Sequence, residues 1–446
     1  MKTTSVIGML LFTGISHLSF SQFIVKPAYF ETHGVSNQGL VVGYESWTGP
    51  YSIWTPETNA FDTIGGIAPG NGVGGQATFS TDGNLLSGTS SGLEGPEMSR
   101  YNRTTDTWTP LGSLGFHIDT AFSGGYGISG DGTTVVGNAW ADTANGAYTH
   151  AVAWNQEEGV MDLGTLFLGR STRANAVCND ASVVVGWQDF NGPWKSAVWR
   201  KNPAGGYYPN EYILLDPQGD PADEYNQMGE CSAISGNGVW VGGYGDYANN
   251  GNPWIWSEAT GVIDLGTLMP GGSGYVSAIN ENGTVAVGRI QGGPWDPELP
   301  FIWTAAGGIQ NLNDYVNNVL GLTTGTYQIY SATCMSPSGQ YIAGYGVNTA
   351  TFDYFAYRVS LSALDLAENT QSAVSIYPNP AIDKLTIKNT GDAEVTVSNP
   401  EGKTVSKTTI NGDSQMDVSD YAPGVYFLSV EAQDTKTIET IRFVKK

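Results

Sequence analysis

Six tryptophans, Trp47, Trp140, Trp187, Trp194, Trp254 and Trp295, recur along the chain, several of them beside Gly-Pro or Asn-Pro steps. Carboxylates accompany them at Glu45, Asp142, Asp189, Asp246, Asp296 and Glu298. An exposed indole offers a flat apolar face to a sugar ring, and a nearby carboxylate accepts hydrogen bonds from its hydroxyls. The combination is therefore suited to carbohydrate recognition. A pair of such acids could also attack a glycosidic bond, and Asp246, Asp296 and Glu298 are the residues to test for that. A third reading packs the tryptophans between structural repeats and leaves no ligand.

Other catalytic patterns are missing from the sequence. His33, His117 and His150 belong to no HExxH motif, no serine stands in a glycine-framed nucleophile turn, and all three histidines read as structural or surface residues. Asp82 and Asp131 sit in Asp-Gly turns without the further oxygen ligands a calcium loop needs, so turn chemistry explains them. Cys178, Cys231 and Cys334 are an odd set with no zinc spacing. A Cys178–Cys231 disulfide is permitted but not indicated, and Cys334 reads as a small buried hydrophobe. No metal and no cofactor is expected.

The elements that must position these residues repeat. A small-residue strand, a polar turn and an apolar strand ending in glycine recur seven times, as in Gly127-Ile-Ser-Gly-Asp-Gly-Thr-Thr-Val-Val-Gly137 and Ala278-Ile-Asn-Glu-Asn-Gly-Thr-Val-Ala-Val-Gly288. The closing glycines, Gly43, Gly88, Gly137, Gly186, Gly243, Gly288 and Gly344, are 45 to 57 residues apart. An aromatic strand follows each one, ending at Trp54, Tyr101, Trp154, Trp199, Trp256, Trp303 and Tyr357. Most repeats add a fourth short strand, such as Met161 to Thr165. Four strands at this period predict an all-β fold, a seven-bladed β-propeller. Its small-residue strands crowd the axis, and its second-to-third-strand loops carry the tryptophans. The seventh repeat lacks a fourth strand, so Phe23 to Tyr29 is expected to supply it and close the ring.

Thr149-His-Ala-Val-Ala-Trp154, Asp264-Leu-Gly-Thr-Leu268 and Ser277-Ala-Ile-Asn280 resemble the extracellular HAF-repeat proteins, over roughly residues 30 to 360. That resemblance implies a secreted β-propeller-like body and no particular reaction.

A polar linker, residues 367–372, leads to a different pattern over 373–446. Val374-Ser-Ile-Tyr-Pro-Asn-Pro380, alternating strands, Pro423-Gly-Val-Tyr426 and a terminal Lys445-Lys446 read as a small β-sandwich. Tyr377, Pro378, Asn379, Pro380, Pro423, Gly424, Tyr426, Lys445 and Lys446 together resemble a type A sorting domain of the type IX secretion system. The resemblance implies passage through the periplasm, recognition by that machinery at the outer membrane, and release or surface attachment.

The start of the chain agrees with export. Lys2, the apolar run Val6 to Leu18 and Ser19-Phe20-Ser21 read as a signal peptide, residues 1–21, cut before Gln22. No later run approaches the roughly 20 apolar residues of a transmembrane helix. Sixty glycines and only 14% charged residues suit an extracellular β protein, here with residues 22–366 as the body. The net charge is −23, of which −2 falls from Ala373 onward and −21 before it. So acidic a body disfavours nucleic acid and anionic membranes. The reading is a secreted or surface binding protein whose partner is a polysaccharide or surface protein. The rivals are a secreted glycoside hydrolase or polysaccharide lyase and a structural surface-coat protein.

Overall fold

The computed structural model describes residues 22–446 except 47–48, 68–74, 94, 116–122, 144–145, 190–193, 210–213, 215–216, 218–225, 246–250, 294–295, 297, 362–374, 378–380, 389–390, 400–402 and 433–437. The expected signal segment and linker lie outside the described residues. The chain divides into two compact units between Leu361 and Ser362.

Among the described residues the first unit holds seven antiparallel sheets in chain order. Sheet 1 is Glu31–Val35, Val41–Tyr44, Tyr51–Thr55 and Ala60–Gly65. Sheet 2 is Leu85–Ser91, Pro96–Asn102 and Thr107–Pro110, extended inward by a bridge from Phe79 to Leu86. Sheet 3 is Ser123–Ile128, Val135–Thr143, Gly146–Asn155 and Gly159–Asp162, and sheet 4 is Thr172–Val177, Val183–Gln188 and Lys195–Arg200. Sheet 5 is Cys231–Ile234, Val241–Gly243, Trp254–Ser257 and Gly261–Asp264, and sheet 6 is Ser273–Ile279, Val285–Gln291, Leu299–Thr304 and Gly308–Asn311. Sheet 7 joins Tyr327–Met335, Tyr341–Asn348 and Tyr354–Ser360 to the N-terminal Phe23–Lys26, which pairs from Phe23 opposite Val359 to Lys26 opposite Ala356. The strand the seventh repeat lacks thus comes from the other end of the unit.

A lone meander of three or four strands leaves both faces wet, so each sheet must bury its faces on its neighbours. Apolar layers form between all adjacent pairs. Val136, Ala153, Val184 and Trp199 join sheets 3 and 4, while Ala233, Ile255, Ala286 and Phe301 join sheets 5 and 6. The last layer, with Phe30, Val41, Trp54, Cys334 and Ala343, packs sheet 7 on sheet 1 and makes the arrangement circular. The fold is all-β and propeller-like.

The first-to-second-strand turns close the same circle by hydrogen bonds. Thr81 N donates to Gly130 O (2.9 Å), Asp131 N to Asn179 O (3.2 Å) and Asn179 N to Gly236 O (2.8 Å). Asn237 N donates to Glu281 O (3.4 Å) and Glu281 N to Pro337 O (2.9 Å). Ser338 N then donates to Asn37 Oδ1 (2.9 Å), and Asn37 Nδ2 to Thr81 O (3.4 Å). Every turn in this belt is shaped locally. Asp82 Oδ1 accepts the Ser80 hydroxyl (2.6 Å) and the Asn84 amide (3.0 Å), and Asp131 does the same with Ser129 (2.5 Å) and Thr133 (2.9 Å). These bonds hold both carboxyls below the usual aspartate range.

The second unit has two antiparallel sheets. One is Ser375–Tyr377, Lys384–Lys388 and Ser414–Asp417; the other is Thr404–Asn411, Asp392–Ser398, Gly424–Ala432 and Ile438–Lys445. Leu385 and Ile387 of the first share one core with Val395, Val397, Leu428 and Phe443 of the second. The three cysteines are buried and unbridged, and burial pushes the Cys334 thiol up to about 12.

Candidate functional site

The closing glycine of the repeat has a steric cause that shapes the middle of the first unit. A Cβ on Gly43, Gly137, Gly186 or Gly288 would lie 1.9 Å from the carbonyl oxygen of Glu31, Gly124, Arg173 or Tyr275 respectively. Only glycine permits the first strand to bend that close. At the bend, in six of the seven sheets, the pairing slips by one residue, a β-bulge. The skipped residues are His33, Tyr126, Asn175, Ser232, Ser277 and Thr333, and all six line one cavity of about 350 Å³ bordered by residues of every sheet. Two of them bond onward to the next sheet. Asn175 Nδ2 donates to Cys231 O (2.8 Å) and Ser232 Oγ to Val276 O (2.6 Å). The hydroxyls of Thr32 and Thr333 meet across the closure. His33 is largely covered, against the Tyr44 ring (5.1 Å), and desolvation lowers its pKa below the usual histidine value although Glu31 opposes that shift.

At one edge of this cavity stands an aromatic cluster on sheet 4. Thr172 pins the first strand there: its hydroxyl accepts the Ala151 amide (2.7 Å) and donates to Gly164 O (2.8 Å). The next residue, Arg173, lies directly opposite Trp187 in the pairing. Trp194, just before the third strand, stacks on Trp187 with centroids 4.3 Å apart and planes 5° from parallel. The Arg173 guanidinium lies over Tyr126 of sheet 3 (4.5 Å), Trp187 (5.3 Å) and Trp194 (5.7 Å). Its Nε donates to Asn175 Oδ1 (2.8 Å), which fixes the fork. Trp187 is buried, whereas Trp194 remains 45% exposed and presents its outer face to solvent.

The structure treats the other sequence-predicted residues unevenly. Trp254 is fully buried in the layer between sheets 4 and 5, with its N–H on Tyr244 O (3.0 Å). Against expectation it offers no ligand face, because its Asn-Pro step places it inside a strand. Trp187 serves as the backing of Trp194 rather than as a surface of its own. Trp140 is half-buried on sheet 3. Asp296 is exposed and accepts the Gly293 amide (2.7 Å). Glu298 binds Arg289 (3.0 Å) and the Tyr345 hydroxyl (2.7 Å), so it is a committed structural acid in this state. Trp47, Asp246, Trp295, His117 and the side chain of Asp142 lie outside the described residues. His150 bonds Asp162 (3.0 Å). Sequence reasoning missed Arg173 and the bulge residues. The available signal was a non-aliphatic residue just before the small residue in six repeats.

In the second unit the two ends of the proposed sorting motif meet. Ala381, next after Pro380, donates its amide to Val444 O (2.8 Å) and accepts that of Lys446 (2.9 Å). Tyr426 stacks on Phe443 (5.5 Å) and donates to Ala422 O (2.9 Å), while Tyr377 is exposed. Pro423 and Gly424 precede Tyr426 in the chain; Pro378, Asn379 and Pro380 lie outside the described residues. Residues 375–445 match the family model of the secretion system C-terminal sorting domain. The tail is a type IX sorting domain. The sorting domain marks the chain for handling by the type IX machinery, and the protein is exported to the cell surface or secreted. Among the described residues no helix is long and apolar enough to cross a membrane.

No curated protein matches the chain. Among solved structures it is similar to the β-propeller domain of the Trilobed protease from Pyrococcus furiosus, at 10% identity and TM-score 0.46, covering 75% of this chain and 96% of that one. It is also similar to PorZ, a surface component of the type IX secretion system of Porphyromonas gingivalis, at 13% identity, TM-score 0.36 and 93% and 51% coverage. TolB from Acinetobacter baumannii matches at 14% identity, TM-score 0.39 and 65% and 63% coverage. The match spans less than two thirds of the length of the last two.

Proposed function

We propose that residues 22–366 form a seven-bladed β-propeller of HAF-like repeats, and that it works outside the cell as a glycan-binding module. A C-terminal β-sandwich carries it through the type IX route. The circular set of apolar layers and the turn belt support the seven-bladed reading. The observation that carries the binding reading is Trp194: an indole held flat on a buried second indole, with its other face open. Single exposed apolar residues are common on folded domains, and Leu93, Leu168 and Phe352 are more exposed than Trp194, so the informative feature is its fixed stacking rather than its exposure. Here the stack on Trp187 and the Arg173 guanidinium fix the orientation of the exposed ring, so little side-chain entropy is lost when a sugar stacks on it.

The test is retention of the full exported chain on an array of bacterial, algal and plant polysaccharides, with released sugars assayed in parallel. Retention without release, weakened roughly tenfold by Trp194→Ala, is the expected result. Release of products would replace the binding reading with that of a polysaccharide-degrading enzyme and make Asp246 and Asp296 the next targets. Silence in both assays would favour a surface-coat role.

A further inference from the structure

Resting on that glycan reading, we infer that the Trp194 platform selects a glycan carrying an isolated carboxylated sugar, whose carboxylate is taken by the Arg173 fork. Arg289, Arg358, Arg200 and Arg170 each face a carboxylate, on Glu298, Glu57, Glu258 and Asp189 respectively. Arg100 and Arg103 instead donate an Nη to the carbonyls of Gly132 (3.1 Å) and Gly83 (2.8 Å). Arg173 faces no carboxylate among the described residues, in a body whose formal charge is −21. Its one hydrogen bond there uses Nε, which leaves both Nη groups without an acceptor.

The neighbouring groups have the same polarity. The buried Nε1 of Trp187 also lacks an acceptor. That N–H is covered, so the donors left for a ligand are the Arg173 Nη groups, walled by indole and phenol rings. Asp189, the nearest acid in sequence, pairs with Arg170 (3.7 Å). Donors without acceptors beside a sugar-sized flat face fit an oxyanion attached to a pyranose. The planar guanidinium matches a carboxylate in two parallel hydrogen bonds.

Preorganisation strengthens the case. Asn175 holds Nε of Arg173 and is itself held by Cys231 O of sheet 5 (2.8 Å), so the fork is aimed through a bonded chain from the next sheet. The acidic body sets the limit on the ligand. Beyond a Debye length of about 8 Å at physiological salt the charges are screened, but a dense polyanion would bring many charges closer than that. One carboxylate on an otherwise neutral chain gains the Arg173 pairing without that repulsion.

The experiment compares three acidic oligosaccharides with their carboxyl-reduced counterparts, using the full exported chain: a glucuronate-bearing xylo-oligosaccharide, an oligogalacturonate trimer and an oligomannuronate trimer. The expected result is at least roughly tenfold tighter binding of the glucuronate-bearing xylo-oligosaccharide than of its reduced form. Arg173→Gln should erase the difference between the two forms. Arg173→Lys, which keeps the charge but not the fork, should retain only part of it. Trp194→Ala should weaken both forms together. Circular dichroism on each variant confirms the fold, and the lysine variant keeps the test intact should the glutamine variant unfold. Equal binding of acidic and reduced forms would overturn the carboxylate inference while leaving the glycan reading standing. Binding of neither, with no retention on any neutral glycan, would remove both.

Discussion

Asn37 accepts the amide of Ser338 from 301 residues away (2.9 Å) and donates to the carbonyl of Thr81 (3.4 Å). One side chain thereby joins the turns of sheets 7, 1 and 2. At the other six turns the backbone makes the link on at least one side, so this is the place where the belt depends on a replaceable group. Asn37→Ala hands the exposed Ser338 N–H to water and is expected to lower unfolding free energy by about 0.5–1 kcal/mol. Asn37→Asp keeps the acceptor and should lose less. Urea unfolding of the three proteins checks the order, and equal midpoints would show that the belt adds nothing.

A second closure is made by the strand Phe23–Lys26. Its Lys26 ammonium bonds Glu45 (2.8 Å) and lies over the Phe61 ring (4.6 Å), while Phe23 stacks on Tyr357 (5.9 Å). Deleting residues 22–26 would strip a full partner from Tyr354–Ser360 and leave an unpaired edge. The expected outcome is a lower thermal midpoint together with self-association visible by sedimentation. A monomer of unchanged stability would mean the edge is closed by something else.

Much of this was legible in the sequence because repetition exposes it. The period of the closing glycines, the Ser-x-Asp-Gly turns and the absent fourth strand of the seventh repeat each follow from local chemistry that recurs. Trp187 and Trp254 show where legibility stops. Both flank a second-to-third-strand loop that contains a proline, Pro193 or Pro253, yet one backs an exposed ring and the other fills the layer between sheets 4 and 5. Which way a tryptophan turns depends on residues of the adjacent sheet, and a single repeat does not contain them. The bulges were hidden for a related reason: they require a carbonyl of the first strand to approach a glycine ten or more residues later.

The two tryptophans give a paired prediction. Trp254→Ala removes a fully buried indole and leaves the Tyr244 carbonyl without its donor, so a loss of about 3–5 kcal/mol is expected. Trp194→Ala removes a ring half open to solvent and should cost less than about 1 kcal/mol. Chemical unfolding of both variants measures this. A Trp194 variant as unstable as the Trp254 variant would mean that the platform is structural, and any loss of glycan retention could no longer be read as lost contact.

The cavity residue His33 gives the folded body a pH response. His33 is largely covered, beside Glu31 (3.8 Å) and against Tyr44, and its pKa is lowered from the ordinary 6.5 because desolvation disfavours the imidazolium. The folded protein therefore binds fewer protons than the unfolded chain at pH values between the lowered pKa and 6.5. By linkage the stability contribution is complete above about pH 6.5 and is lost as pH falls below it, at no more than about 1.4 kcal/mol per pH unit for one proton. Asp82, Asp131 and Asp180 act in a separate window. Their pKa values are depressed from 3.8, so the stability they add is present above that value and is lost only at lower pH. His33→Asn, which cannot titrate, is thus expected to show a flat unfolding free energy from pH 7.5 to 5.5, where the unaltered protein declines. The aspartate step below pH 4 should remain in both. Parallel slopes above pH 5 would assign the decline to another group.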